Sequence, residues 1–202
     1  MNDSSLLIIF TKNPEPGLVK TRLAASIGDE KALAVYKTLR RHTANIAEKV
    51  DANRTVFYSH FIPLSDLFLN KYFHVELQVG DDLGARMLHA IKRGFEGGFR
   101  HVVLIGTDCY ELSTAIIESA FAALRQSDAV VGPARDGGFY LVGMNRAIPE
   151  LFLGRQWSTS EVLKESTEIL RSLDIPCKLL PLLSDIDTID DLKASELWRE
   201  RE

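Results

Sequence analysis

Apolar runs of strand length alternate with amphipathic segments of helix length along nearly the whole chain, and this alternation limits the fold more than any other feature. Leu6-Leu7-Ile8-Ile9-Phe10 is a continuous apolar run of the kind found in a strand buried on both faces. Leu33, Tyr36, Leu39, Thr43 and Ile46 then mark one face of a helix from Glu30 to Lys49. Arg54 to Tyr58 reads as a second strand, Ser65 to Tyr72 as a short helix, and Val75 to Val79 as a third strand. Leu83, Met87, Ile91 and Phe95 define a helix that Gly97-Gly98 ends, because glycine takes the left-handed cap conformation. Val102 to Gly106 is the clearest buried strand, followed by a helix carrying Ile116, Ile117, Ala120, Phe121 and Leu124. Ala129 to Gly132 and Phe139 to Gly143 are two strands in close succession. Helices near Thr159 to Ser172 and Ile189 to Arg199 flank a weak strand at Lys178-Leu179-Leu180. The pattern predicts a three-layer α/β/α fold with a mainly parallel mixed sheet. With 202 residues and no linker or repeat, one domain spanning 1–202 is expected.

Composition narrows the function classes. Hydrophobic residues make up 46% and charged residues 26%, which excludes a disordered chain. A net charge of −4 without a basic stripe argues against nucleic acid as a partner. Cys109 and Cys177 are too few for a disulfide framework, and neither the cysteines nor the histidines have zinc-type spacing. No apolar stretch is long enough to span a membrane, and Leu6 to Phe10 is too short for a signal h-region, so a cytoplasmic protein is expected.

Ligands of such sheets bind beyond the carboxyl ends of the strands. The polar and glycine clusters of this chain follow its strands. After the first strand, Lys12-Asn13-Pro14-Glu15-Pro16-Gly17-Leu18-Val19-Lys20-Thr21-Arg22 places three cations on one short segment. Gly17 permits a tight bend or the approach of a ligand. Lys12, Lys20 and Arg22 suit a di- or triphosphate, or else decorate a solvated turn. The glycine spacing of a Walker A loop is absent. After the strand ending at Gly106, Asp108 is placed to hold Mg²⁺ or Mn²⁺, or to cap the following turn, although Ser113 or Thr114 is the better helix cap. Arg135-Asp136-Gly137-Gly138 reads as a hairpin turn that can also present the Asp136 carboxylate to a substrate. In Asp185-Ile186-Asp187-Thr188, Thr188 with Asp191 fits a capping box, which leaves Asp185 and Asp187 to complete a metal site with Asp108. Ser158 with Glu161 is expected to form another capping box, stapled by Trp157 and Val162. In Gly80-Asp81-Asp82-Leu83-Gly84-Ala85-Arg86, a glycine early in a helix suggests close packing or an approaching ligand, and Arg86 either reaches a phosphate or ribose or lies on the surface.

Taken together, Lys12-x-Pro14-x-Pro16-Gly17-x-x-Lys20-Thr21-Arg22-Leu23, Asp82-Leu83-Gly84-x-Arg86-Met87, Gly106-Thr107-Asp108-Cys109, Asp136-Gly137-Gly138-Phe139-Tyr140, Trp157-Ser158-Thr159-Ser160 and Asp185-Ile186-Asp187-Thr188 resemble the DUF2064 family of bacterial proteins. The resemblance runs from about Leu6 to Leu192. It implies a GT-A, or nucleotide-diphospho-sugar transferase, fold that binds a nucleotide sugar or a nucleoside triphosphate with Mg²⁺ or Mn²⁺. By that resemblance Lys20 and Arg22 hold the diphosphate, with Lys12 and Gly17 on the same loop. Asp108 is the metal aspartate, and Asp187 or Asp185 the second metal carboxylate. Gly80 to Arg86, including Asp82, Gly84 and Arg86, line the base and ribose, and Asp136 and Gly138 face the transferred group or a small-molecule acceptor. Two departures matter. Tyr110 stands where proline is usual, and Gly106 removes the first carboxylate of a DxD motif. The overall resemblance makes glycosyl transfer the leading expectation; the missing DxD favours the second, nucleotidylyl transfer to a phosphorylated acceptor, and nucleotide binding without catalysis is the third.

Overall fold

The computed structural model describes residues 4–199. Seven strands, β1 (Ser5–Thr11), β2 (Asn53–Tyr58), β3 (His74–Leu77), β4 (His101–Ile105), β5 (Ala129–Pro133), β6 (Phe139–Met144) and β7 (Cys177–Leu179), form one sheet in the order β3-β2-β1-β4-β6-β5-β7. Only β6 runs antiparallel to its neighbours, β4 and β5. The helices are α1 (Thr21–Ile27), α2 (Asp29–Ala47), α3 (Leu83–Glu96), α4 (Thr114–Leu124), α5 (Val162–Ser172), α6 (Ile189–Ala194) and α7 (Glu196–Arg199). This is the expected three-layer arrangement. No helix among the described residues is long and apolar enough to cross a membrane.

The core follows from the period of two along β1, all of which is buried. Leu7 and Ile9 face one side, with Val103, Ile105 and α4 residues Ile117 and Phe121. Leu6, Ile8 and Phe10 face the other, with Met87 and Ile91 of α3 and Leu170 of α5. A third, smaller cluster joins Leu23 of α1, Val35 and Leu39 of α2, and Ile186, Leu192 and Leu197 near the carboxyl terminus. It packs the segments carrying Lys20 and Asp187 against one another, far apart in sequence though they are.

Some local expectations fail for identifiable reasons. Residues 65–72 form turns, not a helix. There Asp66 and Asn70 bond the N–H groups of Phe68 and Tyr72, two residues on, an alternative to the helical ladder. The Ser158–Glu161 capping box does not form. Ser158 has φ +62°, outside the extended geometry of a helix cap, and α5 starts at Val162 without a side-chain cap. Its Leu163 N–H instead donates to the Gly137 carbonyl at 2.8 Å. The last helix breaks at Ser195, whose backbone is extended. The Thr188–Asp191 capping box, the Ser113 cap and the left-handed Gly98 all appear as expected.

Candidate functional site

The site is assembled where β1 and β4 end. Tyr36, on the buried face of α2, stitches the two ends together. Its hydroxyl accepts from the Lys12 N–H at 2.8 Å and lies 3.2 Å from Thr11 Oγ1 and 3.3 Å from Thr107 Oγ1. Burial, and then the nearby Asp108, push the Tyr36 hydroxyl above the usual tyrosine range, so it stays neutral. The loop between β1 and α1 closes on Lys20, which is the N-cap of α1 and takes a left-handed backbone (φ 49°, ψ 43°). A lysine there costs about 1–2 kcal/mol, since its Cβ crowds the following carbonyl. That backbone turns its side chain inward, where only 3% of it is exposed.

The Lys20 ammonium lies 2.7 Å from Asp108 Oδ1 and 2.7 Å from Asp187 Oδ1. Burial works against its charge, but the two carboxylates outweigh burial and hold it protonated well above the ordinary lysine range. Asp108 follows β4 through Gly106 and Thr107. Asp187 is placed by Ile186, whose side chain is buried in the third cluster and whose N–H donates to the Asp108 carbonyl at 2.9 Å. Asp185, on the other side of Ile186, feels the same cluster. Burial first, then Asp108, with smaller contributions from Asp187 and Asp136, push its carboxyl up to about 7 against the pull of Lys20.

Lys20, Asp108, Asp185 and Asp187 are thus brought together, and Asp136 is near enough to act on Asp185. The Asp136 carboxylate is exposed and accepts from the Gly138 N–H at 2.9 Å, within the β5–β6 hairpin turn. Arg22 is exposed on the first turn of α1, beside Asp191. Lys12 is exposed at the end of β1, and Gly17 has a left-handed φ of +73° on the same loop. The Asp82–Arg86 group stands at the start of α3 and has structural work to do. Asp82 caps α3 by accepting from the Ala85 N–H at 2.8 Å, and Arg86 Nε donates to the Gly80 carbonyl at 2.9 Å. A Cβ on Gly84 would sit 2.0 Å from the Phe152 carbonyl oxygen and 2.5 Å from Trp157 Nε1. Close packing accounts for that glycine.

The donor chemistry fits a divalent cation in a particular way. Asp108 and Asp187 aim two hard oxygens at one cationic point, and Mg²⁺ commonly takes one or two carboxylates with phosphate and water completing its shell. Among the described residues, no three His, Cys, Asp or Glu side chains come together as a metal cage. Asp108 and Asp187 share the Lys20 ammonium, and Asp185 lies beside them.

Several supporting residues escaped the sequence reading. Arg40, 1% exposed, donates from Nε to Thr11 Oγ1 at 3.0 Å and makes a two-pronged pair with Asp66 at 2.9 Å. Tyr58 donates to the same carboxylate at 2.6 Å. Asn13, 2% exposed, clamps the loop to residues 59–61, donating to the Phe61 carbonyl and accepting from the His60 N–H. The available signal was a row of polar residues, Tyr36, Arg40 and Thr43, on a helix face otherwise destined for the core.

A family model for uncharacterized proteins conserved in bacteria (DUF2064) matches residues 42–159. No curated protein matches the sequence. A Desulfovibrio desulfuricans G20 protein, provisionally named a nucleotide-diphospho-sugar transferase, is 32% identical with a TM-score of 0.90, over 99% of this chain and 88% of that one. A 4-diphosphocytidyl-2C-methyl-D-erythritol synthase from Anaerococcus prevotii superposes with a TM-score of 0.62 at 10% identity, over 98% of this chain and 97% of that one. Rv0371c from Mycobacterium tuberculosis H37Rv, in a complex with manganese, superposes with a TM-score of 0.56 at 13% identity, over 95% of this chain and 97% of that one. The last two likenesses are of fold.

Proposed function

Because the chain belongs to the DUF2064 family and has the nucleotide-diphospho-sugar transferase fold, we propose that it is a transferase whose donor is a nucleotide sugar, bound with Mg²⁺ or Mn²⁺, and whose acceptor is a small molecule. The observation that carries this reading is the convergence of Lys20, Asp108 and Asp187 at the carboxyl ends of β1 and β4, where ligands of such sheets bind. Asp108 and Asp187 would hold the divalent ion, which supplies positive charge to a departing diphosphate. Lys20 and Arg22 add cationic charge on the same side, and stabilising developing negative charge is usually the largest contribution such a site makes. The residues from Gly80 to Arg86, apart from the packed Gly84, border the nucleoside. Asp136 stands on the acceptor side. An acceptor hydroxyl attacks the anomeric carbon as the bond from that carbon to the diphosphate oxygen breaks, and in an inverting reaction the hydroxyl proton passes to Asp136.

A second reading is nucleotidylyl transfer, and one observation favours it. Glycine at position 106 leaves the end of β4 with the single carboxylate Asp108. In that reaction an acceptor phosphate attacks the α-phosphorus of a nucleoside triphosphate and pyrophosphate leaves; no base is needed, because the attacking oxygen is already anionic. Incubation with nucleoside triphosphates and nucleotide sugars, followed for pyrophosphate and for nucleoside diphosphate, separates the two. Release of nucleoside diphosphate from a nucleotide sugar supports glycosyl transfer. Pyrophosphate release from a triphosphate replaces it with the second reading. Tight nucleotide binding with neither product identifies a non-catalytic binding protein.

A further inference from the structure

We infer that Lys20 is the resident cation of the Asp108–Asp187 pair, and that the site admits a divalent ion only together with a polyphosphate, not as the free ion. The inference rests on the proposed nucleotide-dependent function and adds an order of binding to it. Its basis is geometric. The same oxygens that would hold the ion, Asp108 Oδ1 and Asp187 Oδ1, are each 2.7 Å from the Lys20 ammonium. The lysine is no chance visitor from the surface. Its side chain is 3% exposed, and the left-handed backbone at the N-cap of α1 aims it there.

Charge decides the order. Two carboxylates and one ammonium leave the trio with a single net negative charge. A free divalent ion entering the pair would displace the ammonium, whose side chain is 3% exposed, from both of its partners and leave it beside a second cation. A divalent ion arriving on a polyphosphate brings an anion along. The ion takes the carboxylates, and Lys20, on a flexible four-carbon stem, turns from carboxylate to phosphate oxygen. Every charge then has a partner before and after the exchange. Arg22 remains exposed on the adjoining turn as a further cation for the phosphate. The same exchange guards the carboxylates, because Lys20 leaves no uncompensated pair to capture stray divalent ions.

Equilibrium dialysis of Mn²⁺, with and without inorganic pyrophosphate, tests this by counting manganese retained on the protein. Wild-type protein is compared with Lys20→Met, Lys20→Asn (asparagine being well suited to a left-handed backbone) and Asp108→Asn. Circular dichroism confirms that each variant is folded. The expected result is that wild-type protein retains Mn²⁺ alone weakly, that both Lys20 variants retain it at least about fivefold more tightly, and that pyrophosphate raises wild-type retention by at least about fivefold, the lower end of typical coupling between ligands. Equal retention of Mn²⁺ alone by wild-type and Lys20 variants overturns the inference. So does wild-type retention that pyrophosphate leaves unchanged, a result that needs no variant. In either case the functional reading survives if the retained manganese is lost in Asp108→Asn. If no protein retains Mn²⁺ with or without pyrophosphate, the functional reading fails and takes the inference with it.

Discussion

The backbone N–H of Ile186 donates to the carbonyl of Asp108 at 2.9 Å. This one bond ties the loop after β4 to the segment before α6. The Ile186 side chain is driven into the core, so the aspartates on either side of it are held at the rim. Asp187 thereby meets Lys20, and Asp185 is left in the field of Asp108. Placement of the carboxylates is in this sense a consequence of hydrophobic burial.

Ile186→Ala should therefore lower stability and loosen the site together. The residue is 1% exposed, and truncation of a buried isoleucine to alanine costs about 2–5 kcal/mol. Urea denaturation should show that loss, and calorimetry should show weaker binding of nucleotide with Mn²⁺ in the fraction that remains folded. A stability loss with unchanged affinity would separate the core from the site.

Asp185 should make the metal-free protein less stable as pH rises. Its folded value of about 7 lies above the roughly 3.9 of an unfolded aspartate. Between those values the folded state binds more protons than the unfolded state, so stability declines with increasing pH across that window and levels off above it. Asp185→Asn cannot titrate. Thermal melts in chelator from about pH 4 to pH 8 should therefore show the variant gaining on the wild type as pH rises to about 7. A difference constant across the range would show that Asp185 titrates normally.

Asp66→Ala should be among the most damaging single changes away from the carboxylate pair. It strands the Arg40 guanidinium, 1% exposed, and removes the acceptor of the Tyr58 hydroxyl. Breaking one side of a buried ion pair costs about 3–5 kcal/mol. Burial alone would raise the Asp66 carboxyl, but hydrogen bonds from Arg40 and Tyr58 pull it below the usual range. Its stabilisation is therefore present above the ordinary aspartate value and fades as pH falls through its lowered one. Acid unfolding of the wild type should be steeper than that of the variant, as read by circular dichroism.

Gly84→Ala separates packing from ligand contact. The added Cβ would meet the Phe152 carbonyl oxygen at 2.0 Å, so the start of α3 must shift away from the Phe152–Trp157 segment. A lower melting temperature with unchanged nucleotide affinity is expected. A selective loss of affinity would return Gly84 to the nucleotide-binding surface.

Much of this was legible in the chain itself. The both-faces-buried run Leu6 to Phe10 and the alternating helices announce the parallel sheet, and the polar clusters after β1, β4 and before α6 mark its functional end. What linear order hides is where those clusters point. Lys20 reads as one of three phosphate-seeking cations, yet a left-handed backbone buries it among aspartates, while Arg22, two residues later, stays exposed. The helix α1 was also hidden, because the helical period begins only at Asp29 and Lys20 offers no conventional cap. Tyr36 looked like core because its ring is core; only its hydroxyl belongs to the site. Ser158–Glu161 had the letters of a capping box, but the β5–β6 hairpin packs against Ser160 and supplies the acceptor for Leu163 instead.

Calorimetry of nucleoside diphosphates and nucleotide sugars with Mn²⁺, in wild-type protein and in Asp108→Asn, tests most directly whether the Lys20–Asp108–Asp187 cluster is a nucleotide site. At least one nucleotide should bind the wild type in a manganese-dependent way, and that binding should disappear in the folded variant. Equal manganese-dependent affinity in the two proteins, or no binding by any nucleotide, would contradict it.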